Sequence, residues 1–238
     1  MDDVRLAVRR LIAASVRPGT STGMFLHQVC RTAAQALSAS GAGISMMTTD
    51  GTRGVCAASD PVSERVEELQ FVMGEGPCMD AFATRRPVLI ADLGAGAVSR
   101  WPGYAPAALQ DGVRAVFAFP LQIGAARLGI LDVFRERAGP LSATELPMAL
   151  HFADVTVEAL IDRQSDAGTA ADADSLAVDV GHGAQLFQAQ GMVMIQLGGS
   201  ITEASARIRA YAYAQDRRLD DVASDIVARR LRFDKDQP

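Results

Sequence analysis

The stretch VRAVFAFPLQIGAARLGILDVFRE, Val113 to Glu136, narrows the choice of fold more than any other part of this chain. Two runs rich in β-branched and aromatic residues flank Gly124, the pattern of a β-hairpin. AGISMMTTD and TRGVCAASD, joined at Asp50–Gly51, read as a second hairpin, because Asp-Gly adopts the tight turn that antiparallel strands need. Pro87 to Ile90 adds a short strand. Helical spacing fills the intervals. Val4, Ala7, Val8, Leu11 and Ile12 share one face of a first helix that ends at Pro18–Gly19. A second runs from about Thr22 to Ser38, with Ser21 or Thr22 as cap. Pro61 to Val72 reads as a third, with Val62, Val66, Leu69 and Val72 or Met73 inward. GEGPC reads as a tight loop and Trp101 to Gln110 as a short helix. Ser142 to Gln164 is a long helix opened by the capping-box pair Ser142 and Glu145. This order predicts an α+β layout over residues 1–165, an antiparallel sheet flanked by helices.

The segment SDAGTAADADSLAVDVGHG is rich in Ala, Asp and Gly, so residues 166–183 are expected to form a linker or a helical extension. Residues 184–238 divide into short amphipathic helices at about Ala184–Leu197, Thr202–Gln215 and Leu219–Leu231. Leu219, Val222, Ala223, Ile226, Val227 and Leu231 make one apolar stripe on the last. Helices this short bury their stripes against each other, so an all-α three-helix bundle is expected. Gly191, mid-helix, costs about 1 kcal/mol relative to Ala. That cost points to close approach by another helix or by a ligand backbone. Met192 and Ile195 face away from the stripe, which implies either a homodimer seam or docking onto the Ser142–Gln164 helix.

Composition removes several function classes. No apolar run nears the ~20 residues of a membrane helix. The N-terminus, MDDVRLAVRR, lacks the basic-then-apolar order of a signal peptide, so a cytoplasmic protein is expected. Cys30, Cys56 and Cys78 fit neither a disulfide framework nor a CxxC metal spacing. With only three histidines beside them, no metal site and no cofactor are expected. A nucleophilic Cys78 needs a base or cation nearby to lower its pKa. No His lies near it in sequence, so a buried structural thiol is favoured and no catalytic residue is assigned. The net charge of −5 does not mark a nucleic-acid binder, but its distribution is uneven. From His182 onward eight basic side chains stand against seven acidic ones; before it, fifteen stand against twenty-one.

The tail AQGMVMIQLGGSITEASARIRAYAYAQDRRLDDVASDIV resembles the ANTAR family of transcription antitermination regulators. The resemblance rests on Ala189, Gly191 and Met192 to Met194; on Gly198 or Gly199; on Ala204, Ile208, Arg209 and Ala212; and on Leu219, Val222, Ala223, Ile226 and Val227. Gln190 stands where the family usually carries Lys, and Tyr213 where Met is common. The front is similar to GAF domains in GEGPC (Gly74 to Cys78), Asp80–Ala81, Asp92–Leu93, Arg100–Trp101–Pro102, Phe119–Pro120–Leu121 and Leu128 to Leu131. Together these imply a regulator. Its front domain would sense a small molecule or a redox signal, and its tail would bind paired RNA stem-loops and prevent termination.

That resemblance directs attention to particular side chains. Arg209 and Tyr213, one helical turn apart, either hold an unstacked RNA base between a guanidinium plane and a ring, or cap the bundle core with Arg209 bonded to a local carboxylate. Arg217 and Arg218, just before the last helix, either grip phosphate or form a turn neutralised by Asp216, Asp220 and Asp221. Gln190 keeps an amide able to read a base edge. In the front domain, Cys78, Trp101 and Met47 either line a ligand pocket or are plain core. Two other functions remain open. One is a thiol enzyme on the same fold, such as a free methionine sulfoxide reductase, which needs a resolving partner for Cys78. The other is a three-helix DNA binder, which needs a basic exposed recognition helix that the Asp-rich last helix does not supply.

Overall fold

The hairpin that dominates the sequence forms the centre of the sheet. β4 (Ala115–Ile123) and β5 (Ala126–Arg135) are joined at Gly124, whose φ of +56° suits a residue without a side chain. The structure is a computed structural model, and it describes residues 2–17, 19–48, 51–166, 181–215 and 217–234. The second expected hairpin is also present, as β1 (Gly41–Thr48) and β2 (Gly51–Ala58). Asp50 of its turn lies outside the described residues, as do Pro18, Asp216 and most of the 166–183 connection. With β3 (Val88–Ile90) the strands form a five-stranded sheet in the order β2-β1-β5-β4-β3, every neighbouring pair antiparallel.

One face is covered by α1 (Asp2–Ser15), α2 (Thr22–Ala36) and α7 (Glu145–Asp166). Ser21 caps α2, accepting from the Met24 N–H. The capping box of α7 is made: Ser142 Oγ accepts from the Glu145 N–H at 3.2 Å, and Glu145 Oε2 accepts from the Ser142 N–H at 2.8 Å. Phe25, Leu26, Ile44, Phe117, Phe119 and Phe152 meet in this layer. Each side chain so buried contributes about 1.5–3 kcal/mol of transfer free energy.

The other face carries α3 (Pro61–Met73), α4 (Pro77–Thr84), α5 (Ala97–Arg100) and α6 (Tyr104–Gln110). Three expectations change here. The GEGPC loop stops at Gly76, because Pro77 takes the first helical position and starts α4, which places Cys78 inside a helix. The Trp101–Gln110 helix is split: Trp101 ends α5, and α6 starts only after Pro102–Gly103. On α3 the inward face is largely polar. Val62 is exposed and Leu69, Val72 and Met73 are half-buried, whereas Ser63, Glu67, Glu68 and Gln70 are buried beside Val66 and Phe71. The polar residues turn inward because partners await them on both sides of the helix.

The tail folds as α8 (Gly181–Leu197), α9 (Ile201–Ala214) and α10 (Leu219–Val227), packed on one another. Ser200 caps α9 through the Glu203 N–H. α10 is shorter than its apolar stripe: Arg229 turns left-handed (φ +60°), and the Arg230 and Leu231 N–H groups return to the Asp225 carbonyl at 2.8 and 3.1 Å. α8 rests on strand β2, across the sheet from α7. Leu186, Val193, Ile208 and Val222 of the tail join Val66, Phe71 and Phe82 of the front in one continuous apolar cluster. Among the described residues, no helix is long and apolar enough to cross a membrane.

Candidate sensor cleft and output surface

The sequence of β5 places Ile130, Asp132 and Phe134 on one face by strand alternation, so a carboxylate enters the core between two apolar side chains. Asp132 is fully buried, as are Glu67 of α3 and Cys78 of α4. One oxygen of each carboxylate and the Cys78 sulfur lie within 4.8 Å of one another. Gln70 holds the three together. Its amide nitrogen donates to Asp132 Oδ2 at 2.8 Å and Glu67 Oε2 at 3.3 Å, while its oxygen accepts from the Cys78 N–H at 2.8 Å. Ser45 of β1 donates its hydroxyl to Glu67 Oε1. Met47 Sδ lies 3.8 Å from Cys78 Sγ. Two glycines make this packing possible. A Cβ on Gly43 would come within 3.3 Å of the Glu67 carboxylate, and one on Gly76 (φ +140°) within 2.5 Å of Gln70 Oε1.

Electrostatics favour the protonated forms in this buried cluster. Burial pushes the Asp132 carboxyl well above its usual range, and the adjacent Glu67 adds to the push. Burial also raises Glu67, against the hydrogen bonds it receives. The Cys78 thiol goes up for the same reasons, first burial and then the two carboxylates. The Tyr104 phenol, fully buried on α6, is raised by burial and by Asp132, Glu67 and Cys78 together. Its Oη and Asp132 Oδ1 have no hydrogen-bond partner among the described residues. A neutral thiol is a poor nucleophile, so Cys78 lacks the activation that covalent chemistry needs. Of the expected cleft residues, Cys78 and Met47 meet in this cluster. Trp101 is core, edge-on to Tyr104 at 6.4 Å with the Arg100 guanidinium over its ring. The sequence reading missed Glu67, Gln70, Asp132 and Tyr104.

The C-terminal helices present a second candidate surface against the opposite side of α3. Glu68 accepts from the Leu219 N–H at 2.5 Å and from Arg218 Nε at 3.2 Å, and Glu64 accepts from Arg218 at 2.7 Å. The first contact satisfies a free N–H at the start of α10 with a carboxylate from α3. Burial outweighs these bonds and leaves Glu68 above its usual pKa. Arg217 pairs within the tail, with Asp225 at 2.7 Å.

Gln190 is 5% exposed and shares a small pocket with Arg209 under Phe71 and Leu219. Arg209 is half-buried beside Gly74, and burial pulls its pKa below the ordinary value. Among the described residues it has no ion-pair partner, so the expected alternative of a local carboxylate is absent there. Tyr213 stands 66% exposed at the mouth of an open groove shared with α3 and α6. Arg209, Gln190 and Tyr213 therefore divide: the first two flank one pocket, while Tyr213, Arg217 and Arg218 rim a neighbouring groove. Nothing lies within 4 Å of the position a Gly191 Cβ would take, so helix packing does not require that glycine. Met192 packs on the shared core, while Ile195 is 77% exposed.

A family model described as the GAF domain matches residues 21–160. The fold is similar to the GAF domain of a phosphoenolpyruvate-protein phosphotransferase from Coxiella burnetii, at 15% identity and a TM-score of 0.53, covering 69% of this chain and 97% of that one. It is also similar to the GAF domain of an Acinetobacter phosphoenolpyruvate-protein phosphotransferase, at 13% identity and a TM-score of 0.52, covering 71% and 99%. At such identities the likeness concerns the fold alone. No match is found among curated protein sequences.

Proposed function

Because the chain belongs to the GAF domain family, we propose that its front domain is a sensor controlling an ANTAR-type RNA-binding tail. In this reading the tail binds paired RNA stem-loops and prevents transcription termination, the protein acts in the cytoplasm, and it performs no catalysis. The observation that carries the reading is the margin of α9. Tyr213 is open to solvent, and one turn earlier Arg209 has no ion-pair partner among the described residues. The exposed ring suits stacking on an unpaired base, and the guanidinium one turn earlier, in the adjoining pocket, supplies a cation beside it.

Regulation follows from the same surface. Glu64 and Glu68 hold Arg218 and the first turn of α10, so this is the resting arrangement, and a signal that moves α3 frees the groove rim. Exposed Ile195 supplies a seam for a homodimer, in which two modules engage paired stem-loops through effective concentration. The thiol-enzyme alternative loses support from the Cys78 surroundings, where the neighbouring sulfur belongs to Met47 rather than to a second thiol.

The test is capture of cellular RNA on the purified chain, wild type against Tyr213→Ala and Arg209→Ala. Stem-loops enriched by wild type, with affinity lowered about 5- to 100-fold by Tyr213→Ala as loss of one stacked base predicts, support the reading. Equal enrichment by all three proteins, or preference for duplex DNA in competition, overturns it. Binding should weaken only gently with salt, because the tail is nearly neutral.

A further inference from the structure

We propose that Glu67, Asp132 and Cys78 form a site for one divalent transition-metal ion of borderline softness, zinc(II) or iron(II), enclosed between α3, α4 and β5. The proposal concerns the front domain alone and stands whatever the tail binds.

Geometry comes first. The three donor atoms already lie within 4.8 Å of one another. Donors around a tetrahedral ion with bonds of about 2.0–2.3 Å sit roughly 3.5 Å apart. Side-chain rotations that draw each donor inward by well under about 1 Å close the difference. These residues are brought together by the fold, since they come from two helices and a strand that are distant in sequence.

The second observation is independent of the cluster. Tyr104 Oη, on α6, is buried without a hydrogen-bond partner among the described residues, and its phenol feels the charges of all three proposed ligands. Asp132 Oδ1 is likewise without a partner, because Gln70 engages only the other oxygen. Buried polar atoms in folded proteins almost always have partners. An ion accounts for the free carboxylate oxygen directly, and an ion-bound water or fourth ligand accounts for the phenol.

Charge supplies the third argument. Two carboxyls and a thiol share a buried site; the carboxyls are bonded to each other, and no basic side chain among the described residues pairs with Glu67 or Asp132. A divalent cation takes the place of the protons that otherwise neutralise these groups. Loading releases to solvent the proton of the Cys78 thiol and any proton held by the carboxyl pair.

The donor set selects the ion. Oxygen-only sites suit magnesium and calcium, whereas a thiolate beside carboxylates favours zinc or ferrous iron. Gln70 plays the outer role seen around metal sites, since its single amide fixes the orientation of both carboxylates and anchors the first turn of α4. Because the site is enclosed, the ion is taken up as the chain folds.

Cobalt(II) is the probe. The full chain, purified from cells grown in cobalt-supplemented medium, is expected to carry one cobalt per chain and to show thiolate-to-cobalt charge-transfer absorption. Cys78→Ser should abolish the absorption, while Cys30→Ser and Cys56→Ser retain it. Asp132→Asn should lower bound cobalt by more than about tenfold, the loss expected when a metal site is disrupted. Substoichiometric cobalt in wild type, or absorption that survives Cys78→Ser, overturns the proposal. If Cys78→Ser yields no folded chain, Asp132→Asn decides: cobalt content equal to wild type overturns it. RNA capture is not part of the readout, so failure here leaves the proposed output activity standing.

Discussion

On one face of the sheet, α1, α2 and α7 bury Phe25, Phe117, Phe119 and Phe152, and the buried hydroxyls Thr32 and Thr156 bond back to carbonyls of their own helices. On the other, α3, α4 and α6 bury Glu67, Gln70, Asp132 and the unpartnered Tyr104 phenol among residues just as apolar. The same strands supply both layers, since alternate residues of β5 point to each. The first layer is built as a sheet–helix core is expected to be. The second holds ionisable groups that cost stability unless compensated, which marks it as the layer shaped by function. It is also the layer that continues into the tail, so the buried acids and the C-terminal helices share one core.

The strongest challenge to this contrast is a pair of substitutions. Phe152→Ala in the apolar layer should lower unfolding free energy by about 3–5 kcal/mol in urea denaturation. Asp132→Asn in the polar layer of the metal-free chain should leave stability unchanged or raised, because it removes an ionisable group from the core. Equal losses in both would erase the distinction. Next in size is Glu68→Ala, which strands the Leu219 N–H and releases Arg218. We expect a loss of about 1–3 kcal/mol, faster hydrogen exchange in α10, and tighter RNA binding if Glu68 and RNA compete for that rim.

Smaller still is Asp60→Ala, which sharpens the account of how α3 is seated. Asp60 caps α3, accepting from the Val62 and Ser63 N–H groups at 2.9 and 3.0 Å. Burial pushes its carboxyl up, but hydrogen bonds from the Ser59 and Ser63 hydroxyls and these amides bring it below the ordinary value. Its contribution is therefore present above the unfolded pKa of about 3.9 and lost as pH falls through the lower folded value. The variant should be about 1 kcal/mol less stable at neutral pH, and the gap should close in acid. Smallest is Gly191→Ala on α8, which should stabilise the chain by about 0.5–1 kcal/mol in thermal melts, since the added methyl meets nothing. A fall in RNA affinity despite that gain would place the nucleic-acid backbone at Gly191.

Periodicity made the apolar layer legible. The hairpin around Gly124, the Ser142–Glu145 box and the stripes of α2 and α10 each announce themselves within a few residues of sequence. The polar layer did not, because its members come from α3, α4, α6 and β5 and look ordinary locally. Glu67, Glu68 and Gln70 sit at helical spacings where a solvated face is the natural reading. Trp101, conspicuous in sequence, is core packing, whereas Tyr104 three residues later faces the acids. One signal was available. Asp132 interrupts LGILDVF at a position in phase with Ile130 and Phe134, so strand alternation alone sends its carboxylate inward. On the tail, Arg209 and Tyr213 were legible as neighbours. That α3 would lie beside them was not, because the contact joins residues about 150 positions apart.

Glu67 and Glu68 are consecutive on α3, yet one reaches the sheet interior and the other caps α10. Successive residues on a helix differ by about 100° around its axis. A guest that tugs Glu67 must therefore roll Glu68 as well, like adjacent teeth on one gear. In the proposed regulator the two contacts are separated by a single helix diameter, and rotation of α3 would link them with no relay of intermediate side chains.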